Sequence, residues 1–200
     1  MALEELERRI ALVRHGRSTH AHAGWIDAAG FREWRRRYEA AGIGETERVP
    51  SEIAELAARA ELVVSSDAPR AVASARLLAP DREVVVSPLL RELDLAAPDL
   101  RGLRLPLLAW AFAVGGRALL LSLVGRYPAV PEAARIESAA AWLEGLAARH
   151  ARIVAVTHAS FRRRLGDRLV AAGWQAEPGR RSVRHWSAWT LRWSGDAGSA

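Results

Sequence analysis

Residues Ile10–Thr19 read IALVRHGRST, and this stretch decides the fold that the sequence predicts. Its four apolar residues end abruptly at Arg14-His15-Gly16, a pattern typical of a buried strand that runs into a tight turn. Arg14 offers a planar fork of donors that suits phosphate oxygens, and His15 is a nucleophile if its imidazole stays neutral. An Arg-His-Gly tripeptide alone is a weak signal, because it also occurs by chance in unrelated proteins. A phosphate-binding interpretation therefore needs support from the rest of the chain.

Two later strands are followed by side chains of the same kind. A strand at Glu61–Ser65 leads into Ser66-Asp-Ala-Pro-Arg70, which places Arg70 in the first turn of a helix. Backbone amides and the helix dipole favour an anion there. The alternative for Arg70 is a local ion pair on the surface. A strand at Arg152–Thr157 ends in His158.

Two carboxylates follow a further predicted strand, Glu83–Val86. Glu92 and Asp94 stand beside apolar neighbours, and a half-buried carboxyl has the raised pKa that suits a general acid. The alternative is an exposed turn. In an extended segment the two residues share one face, so the pattern leaves open which of them is the acid.

Helical patterns separate these strands. Strands that alternate with helices indicate the α/β class, here a three-layer α/β/α sandwich around a mostly parallel sheet. The carboxyl ends of parallel strands form the ligand-binding edge of such a sheet. The sequence therefore predicts a pocket for a dianionic phosphoryl group formed by Arg14, His15, Arg70 and His158. The helices are predicted at Phe31–Ala41, Pro50–Arg59, Ser66–Ala79, Pro131–His150 and Ala159–Ala172.

Two regions are less regular. Leu105–Val124 is nearly long and apolar enough to span a membrane, but Gly115-Gly116 and Arg117 interrupt it. We therefore expect two short buried or cap helices and no transmembrane segment. At the end of the chain, Ser182–Trp186 and Ala188–Trp193 are expected to form a pair of strands.

The composition argues against several other functions. All 29 basic residues are arginine and the net charge is +6, which invites a nucleic-acid interpretation. Alanine is abundant and lysine is missing, a pattern typical of GC-rich coding, and no aromatic-basic interleaving accompanies it, so we expect no nucleic-acid partner. The chain has no cysteine and starts with charged residues, which favours a cytoplasmic protein. His20 and His22 lack a matching carboxylate or cysteine cluster, and we predict no metal and no cofactor.

The order and spacing of these motifs resemble the histidine phosphatase superfamily, in its phosphoglycerate-mutase-like branch. The resemblance covers Ile10 to about Trp193 and implies one domain, residues 1–200, with a cap insertion at about 95–130. It implies that His15 becomes phosphorylated, that Arg14, Arg70 and His158 hold the phosphoryl oxygens, and that Glu92 is the proton donor. The motifs that carry it are Arg14-His-Gly-Arg-Ser18, Ser65-Ser-Asp-Ala-Pro-Arg70, Leu90-Arg-Glu92 and Val156-Thr-His158.

Two positions depart from the family pattern. Ala21 stands where members often carry an asparagine, and Ala159 stands where a glycine is common after the second histidine. Both departures leave the catalytic histidines and phosphate-binding arginines in place. They bear on which substrate is used and on how active the protein is.

These observations together predict a metal-independent phosphomonoesterase that works through a phosphohistidine intermediate. Its substrate would be a small phosphorylated metabolite or a phosphoprotein. We expect the nearby guanidinium groups to keep His15 neutral and a protonated His158 to stabilise the transferring group. The alternatives are a phosphomutase with the same pocket and a weakly active module that binds a phosphorylated ligand or a partner. The oligomeric state is left open.

Overall fold

The computed structural model describes residues 7–20, 24–94, 98, 100, 102–125, 130–177 and 182–194. Within these ranges the chain forms eight strands and six helices, with one short 3-10 turn at Pro88–Leu90. The strands are β1 (Arg8–Arg14), β2 (Trp25–Ile26), β3 (Leu62–Ser66), β4 (Val84–Ser87), β5 (Leu105–Pro106), β6 (Arg152–Thr157), β7 (Gln175–Ala176) and β8 (Ala188–Trp193). The helices are α1 (Ala28–Ala40), α2 (Ser51–Ala58), α3 (Pro69–Leu78), α4 (Leu107–Leu123), α5 (Val130–Ala147) and α6 (Ala159–Ala171).

Six of the strands form one mostly parallel sheet, in the order β4-β3-β6-β1-β8-β7. Strands β4, β3, β6 and β1 run parallel, while β8 and β7 are antiparallel to their neighbours. Strand β1 lies between β6 and β8, and Val13 pairs with Val156 near the carboxyl ends. This register brings the residues that follow β1 and β6 to the same edge of the sheet.

Helices cover both faces of the sheet, so the predicted three-layer α/β/α sandwich is confirmed. Alternate residues of β1 point to opposite faces. Ile10 and Leu12 pack in a cluster with α5 and α6, whereas Ala11 and Val13 pack in a second cluster with α2 and α3. The apolar character of β1 on both faces follows from this two-sided burial.

One glycine sets how closely α6 approaches the sheet. Gly166 is buried, and a Cβ built on it would lie 2.0 Å from Cζ3 of Trp189 in β8. Any larger side chain would force the helix or the indole to move, because interiors are closely packed. The glycine therefore allows Trp189 to lie directly against the helix backbone.

The prediction of two short helices within Leu105–Val124 is wrong, because α4 is continuous across Gly115-Gly116. A glycine makes helix formation less favourable by only about 1 kcal/mol relative to alanine. The buried side chains of Trp110 and Val114 pack against Ala28 and Phe31 of α1 in a third apolar cluster, which favours the helix. The cap insertion at about 95–130 stays a prediction, since residues 95–97, 99, 101 and 126–129 lie outside the described ranges.

The prediction of a strand at Ser182–Trp186 is also wrong. This segment forms a turn, and the strand that pairs with β8 is β7. Trp186 adopts a φ of 54°, and its amide donates to the carbonyl of Arg14. That left-handed conformation turns the backbone away from a strand path, so the segment crosses the end of β1.

None of the helices in the described part of the chain combines the length and the apolar character that crossing a bilayer requires.

Candidate active site

The four residues predicted to share a pocket do meet at the carboxyl edge of the sheet. Arg14 ends β1 and His15 follows it, with the amide of His15 donating to the carbonyl of Thr157 at 3.1 Å. His158 follows β6 directly and is the N-cap of α6. Arg70 lies in the first turn of α3, as expected. The fold therefore delivers the four side chains from the carboxyl ends of three strands, β1, β3 and β6.

His15 is held as a neutral imidazole with a defined tautomer. Its ring is buried, and Nδ1 donates to the carbonyl of Gly16 at 2.7 Å. Nε2 therefore carries the lone pair and accepts from Nε of Arg70 at 3.3 Å. Burial, with smaller contributions from Arg70 and Arg14, lowers the pKa of His15 to about 3. The neutral state was predicted, but burial outweighs the guanidinium groups that the prediction invoked.

Gly16 is required where it stands. A Cβ at this position would lie 2.7 Å from Cζ2 of Trp186, so the backbone after His15 passes directly under the indole ring. The amide of Gly16 donates to Oγ of Ser74 in α3 at 2.9 Å. Trp186 is fixed in turn, because its Nε1 donates to Glu47 at 2.7 Å. The turn that carries His15 is therefore held between Ser74 on one side and Trp186 on the other.

The Arg70 guanidinium is fully buried between the two histidines. Besides His15, its Nη2 lies 3.2 Å from Nδ1 of His158. Nη1 donates to the carbonyl of Tyr38 at 3.0 Å, and the guanidinium stacks on the Tyr38 ring at 4.3 Å. Nη2 also lies 3.2 Å from both carboxylate oxygens of Glu39. A surface ion pair does not describe Arg70, although its one carboxylate partner, Glu39, is half-exposed.

The imidazole of His158 is neutral and, like that of His15, has a defined tautomer. Its Nδ1 faces a donor of Arg70, so the proton resides on Nε2, which donates to Oγ of Ser66 at 3.0 Å. Burial, and then the charges of Arg70 and Arg14, lower the pKa of His158 well below its ordinary value. Burial beside two guanidinium groups disfavours a further cation, so the imidazole is neutral in this arrangement. A protonated His158 that stabilises a transferring phosphoryl group stays a prediction.

Arg14 has a buried nitrogen whose donor is unused within the described part of the chain. Nη1 donates to the carbonyl of Val183, whereas the buried Nε finds no acceptor among the described residues. A buried donor without a partner is unfavourable. An anion placed beside His15 would satisfy this donor.

Glu92 lies against the first turn of α6. Its Oε1 accepts from the amides of Leu93 at 3.0 Å and Phe161 at 2.8 Å, and its Oε2 accepts from the amide of Ser160 at 3.3 Å. Burial raises the pKa of Glu92, while these amides oppose the rise. Asp94 is instead exposed and pairs with Arg35 at 3.2 Å. The structure brings Glu92 to the pocket and leaves Asp94 on the surface.

Sequence reasoning missed two residues of the site. The His185 ring centroid lies 5.5 Å from that of His15, and burial, with Arg14 and Arg17, lowers the pKa of His185 to about 4. Arg162 is buried and donates to the carbonyls of Ser182 and Ser187, which fixes the turn that carries His185. Assigning residues 182–186 to a strand hid His185. Arg162 lies in the predicted helix α6, where its arginine triplet is typical of a solvated face, and no local motif marks it as buried.

The described residues contain no group of three His, Cys, Asp or Glu side chains placed to hold a metal ion. His20 lies beside Trp34, with ring centroids 5.6 Å apart. His22 and Ala21 lie outside the described ranges. Ala159 begins α6 immediately after His158, so the helix starts there without the glycine common in the family.

A cavity of about 790 Å³ lies beside this group of residues. Glu92, Ser160 and Glu39 line one part of it, and residues of α1 and α4 line the rest. Another cavity, lined by Arg9 and Arg152, lies at the opposite edge of the sheet, where β1 and β6 begin. Of these two cavities, the first is the one lined by a candidate catalytic residue, Glu92. A further cavity of about 510 Å³ is lined by His185 and Trp186.

Several solved structures are similar to this chain. One mycobacterial hydrolase gives a TM-score of 0.55 at 20% identity, covering 92% of this chain and 89% of that chain. A second mycobacterial hydrolase gives 0.52 at 21% identity, with coverage of 92% and 96%. A mycobacterial glucosyl-3-phosphoglycerate phosphatase gives 0.52 at 22% identity, with coverage of 82% and 80%. No protein-family model and no curated protein matches the sequence.

These neighbours share the sandwich architecture described above, and they cover most of the chain. The sequence resemblance is thereby confirmed at the level of the fold. The chain has the phosphoglycerate-mutase-like fold.

Proposed function

We propose that this protein is a metal-independent phosphomonoesterase that transfers the phosphoryl group of its substrate to Nε2 of His15. The observation that carries the proposal is the contact between a buried neutral imidazole and a buried guanidinium, 3.3 Å apart. A neutral Nε2 has the lone pair that attack requires. The guanidinium beside it supplies the positive charge that a transferring phosphoryl group needs.

The backbone orients the nucleophile. The bond from Nδ1 to the carbonyl of Gly16 keeps Nε2 unprotonated and fixes the plane of the ring. During in-line attack, positive charge develops on the imidazole, and the Gly16 carbonyl stabilises that charge through Nδ1–H. The bond from phosphorus to the leaving oxygen breaks as the bond to Nε2 forms.

Arg70, Arg14 and His158 would bind the phosphoryl oxygens. Arg70 turns two nitrogens toward the histidines, and Arg14 Nε is available as a donor. A phosphate dianion raises the pKa of a nearby histidine through its charge. We therefore propose that His158 takes up its proton together with the substrate, which restores the charge-stabilising role expected from the sequence.

Glu92 would protonate the leaving oxygen and later accept a proton from the water that attacks phosphohistidine. A carboxyl whose pKa is raised by burial holds a proton closer to neutral pH than an exposed carboxyl does. The amides of Ser160 and Phe161 at the start of α6 fix the carboxyl, so its position depends on the same helix that His158 caps. The second step regenerates neutral His15 and releases inorganic phosphate.

We propose that the substrate is a phosphorylated small molecule or a phosphoprotein. The cytoplasmic location stays a prediction. One mycobacterial neighbour is a glucosyl-3-phosphoglycerate phosphatase. That name supports a small-molecule ester for this chain. A phosphomutase would retain the phosphohistidine and return it to the substrate, whereas a phosphatase loses it to water.

Rapid-quench labelling with a radiolabelled phosphomonoester in the presence of EDTA tests the proposal. Wild-type protein should carry an acid-labile, alkali-stable phosphate and should release inorganic phosphate with turnover. His15→Ala should carry none, while His185→Gln, which removes the neighbouring imidazole, should still be labelled. Label that persists in His15→Ala, or activity that needs an added divalent cation, would refute the proposal. Labelling without phosphate release would indicate a mutase, and neither labelling nor release would indicate a binding module.

A further inference from the structure

The 790 Å³ cavity beside Glu92 is a candidate site for the part of the substrate that leaves with the oxygen. Its volume lies in the range of pockets that enclose a small organic ligand, about 300–1,000 Å³. It lies between α1 and α4, the helix that the sequence pattern predicted as two short helices. The chemistry of its walls indicates what it can bind.

One wall is a row of aromatic rings on α1. The rings of Phe31 and Trp34 are stacked with centroids 6.0 Å apart, and those of Trp34 and Tyr38 with centroids 5.2 Å apart. The interplanar angle is 16° in both pairs, so the three rings form a continuous stacked row along the helix. The facing wall is aliphatic and consists of α4 side chains, among them Leu107, Leu108 and Val114.

The polar groups of the cavity are concentrated where it meets the phosphate-binding residues. Ser160 lies in the first turn of α6, and its amide donates to the carboxylate of Glu92. Glu39 contacts Arg70 at 3.2 Å. Among the described lining residues, Arg35 is the one arginine, and Asp94 pairs with it at 3.2 Å. The cavity is therefore polar at the reacting end and apolar along the rest of its walls.

We propose that the cavity binds an apolar leaving group, so that the preferred substrates are phosphomonoesters of alkyl, isoprenoid or aryl alcohols. This inference rests on the proposed phosphatase function. A sugar or a carboxylate in the apolar part would lose hydration without gaining hydrogen bonds, which is unfavourable. An alkyl or aryl group would instead remove its own surface and that of the aromatic wall from water.

Binding of alkylphosphonates, which cannot be hydrolysed, tests the inference separately from catalysis. Affinities of methyl-, butyl- and hexylphosphonate are measured by calorimetry below the concentration at which they aggregate. The affinity should rise roughly two- to fourfold for each methylene, as expected for transfer out of water. Hydrolysis of the corresponding alkyl phosphates should show the same order in kcat/KM, with glycerol phosphate the poorest substrate.

Two exposed leucines of α4 provide matched variants. Leu108 and Leu120 are 68% and 67% exposed, but only Leu108 lines the cavity. Leu108→Gln should lower the preference for hexyl- over methylphosphonate by roughly threefold or more, whereas Leu120→Gln should leave it unchanged. Ala111→Phe, at another exposed position that lines the cavity, should shorten the longest chain that still improves binding.

The outcomes separate this inference from the proposed function. Equal affinity for the three phosphonates, with active phosphatase, would overturn the apolar leaving-group site and leave the phosphatase function standing. Equal effects of Leu108→Gln and Leu120→Gln would also overturn it, because the apolar contact would then lie on the outer face of α4. Chain-length-dependent binding without hydrolysis of any ester would overturn the phosphatase function instead.

Discussion

Replacing His15 by glutamine should make folding stability less dependent on pH. Burial, then Arg70 and Arg14, lowers the pKa of His15 from 6.5 to about 3. At pH 5 the unfolded chain therefore binds a proton at this position and the folded chain does not. The depressed pKa contributes stability above pH 6.5 that is lost as the pH falls toward 3. Linkage gives a loss of about 2 kcal/mol at pH 5 relative to pH 8 for this imidazole.

Urea unfolding of wild-type protein and His15→Gln at pH 8 and pH 5 measures the effect. The free energy of unfolding should fall between the two pH values by about 2 kcal/mol less in the variant than in the wild type. Both proteins should still lose stability at pH 5, because the pKa of His158 and that of His185 are also lowered. Subtracting the pH-dependent change in the free energy of unfolding of the variant from that of the wild type gives the contribution of His15.

Ser74→Ala is the control variant, because it removes a hydrogen bond next to His15 without removing the imidazole. It removes the acceptor of the Gly16 amide, and it introduces no titratable group. It should therefore lower stability by about 1 kcal/mol at both pH values, giving a profile parallel to that of the wild type. A His15→Gln profile parallel to the wild type would show that His15 titrates normally in the folded protein. The argument for a neutral nucleophile at acidic pH would then be wrong.

Two further predictions concern the groups around His15. Arg70→Ala should lower kcat for a generic phosphomonoester by roughly a hundredfold or more, and Arg70→Lys should restore only part of it, because lysine keeps the charge without the planar fork. Steady-state kinetics on folded protein, verified by circular dichroism, measures this, and full activity of Arg70→Lys would contradict a role for the fork. Glu92→Gln should slow alkyl phosphates much more than activated aryl phosphates, whose leaving groups need little protonation, while exposed Asp94→Asn should affect neither class. The reverse pattern in the two variants would assign the acid to Asp94.

The residues at strand ends could be predicted because their signals are local. Short apolar runs that stop at Arg14-His15, before Arg70 and at His158 indicate a strand and its end, and alternation with helices indicates a parallel sheet. Parallel strands then bring their carboxyl ends together whatever the details of packing. The pocket follows from topology, so its principal residues were accessible from sequence.

The remaining features depend on contacts that are distant in the chain. The left-handed conformation of Trp186 depends on packing against Gly16 and on Glu47, more than a hundred residues away in sequence. His185 reaches the site only because of that turn. The continuity of α4 across its glycines similarly depends on Trp110 packing against α1. The hydrophobic periodicity of a sequence does not indicate which distant residues contact each other.

The close approach of Gly166 to Trp189 has a consequence for how this protein can change during evolution. Helix α6 meets the reacting groups at its first turn, through His158 and the amides that hold Glu92. A side chain at position 166 would push the helix from the sheet and displace that turn. A substitution at position 166 would therefore disturb the reacting groups although the position lies outside the pocket. The walls formed by α1 and α4, by contrast, can vary without this penalty, so new substrate preferences would arise there while α6 stays fixed.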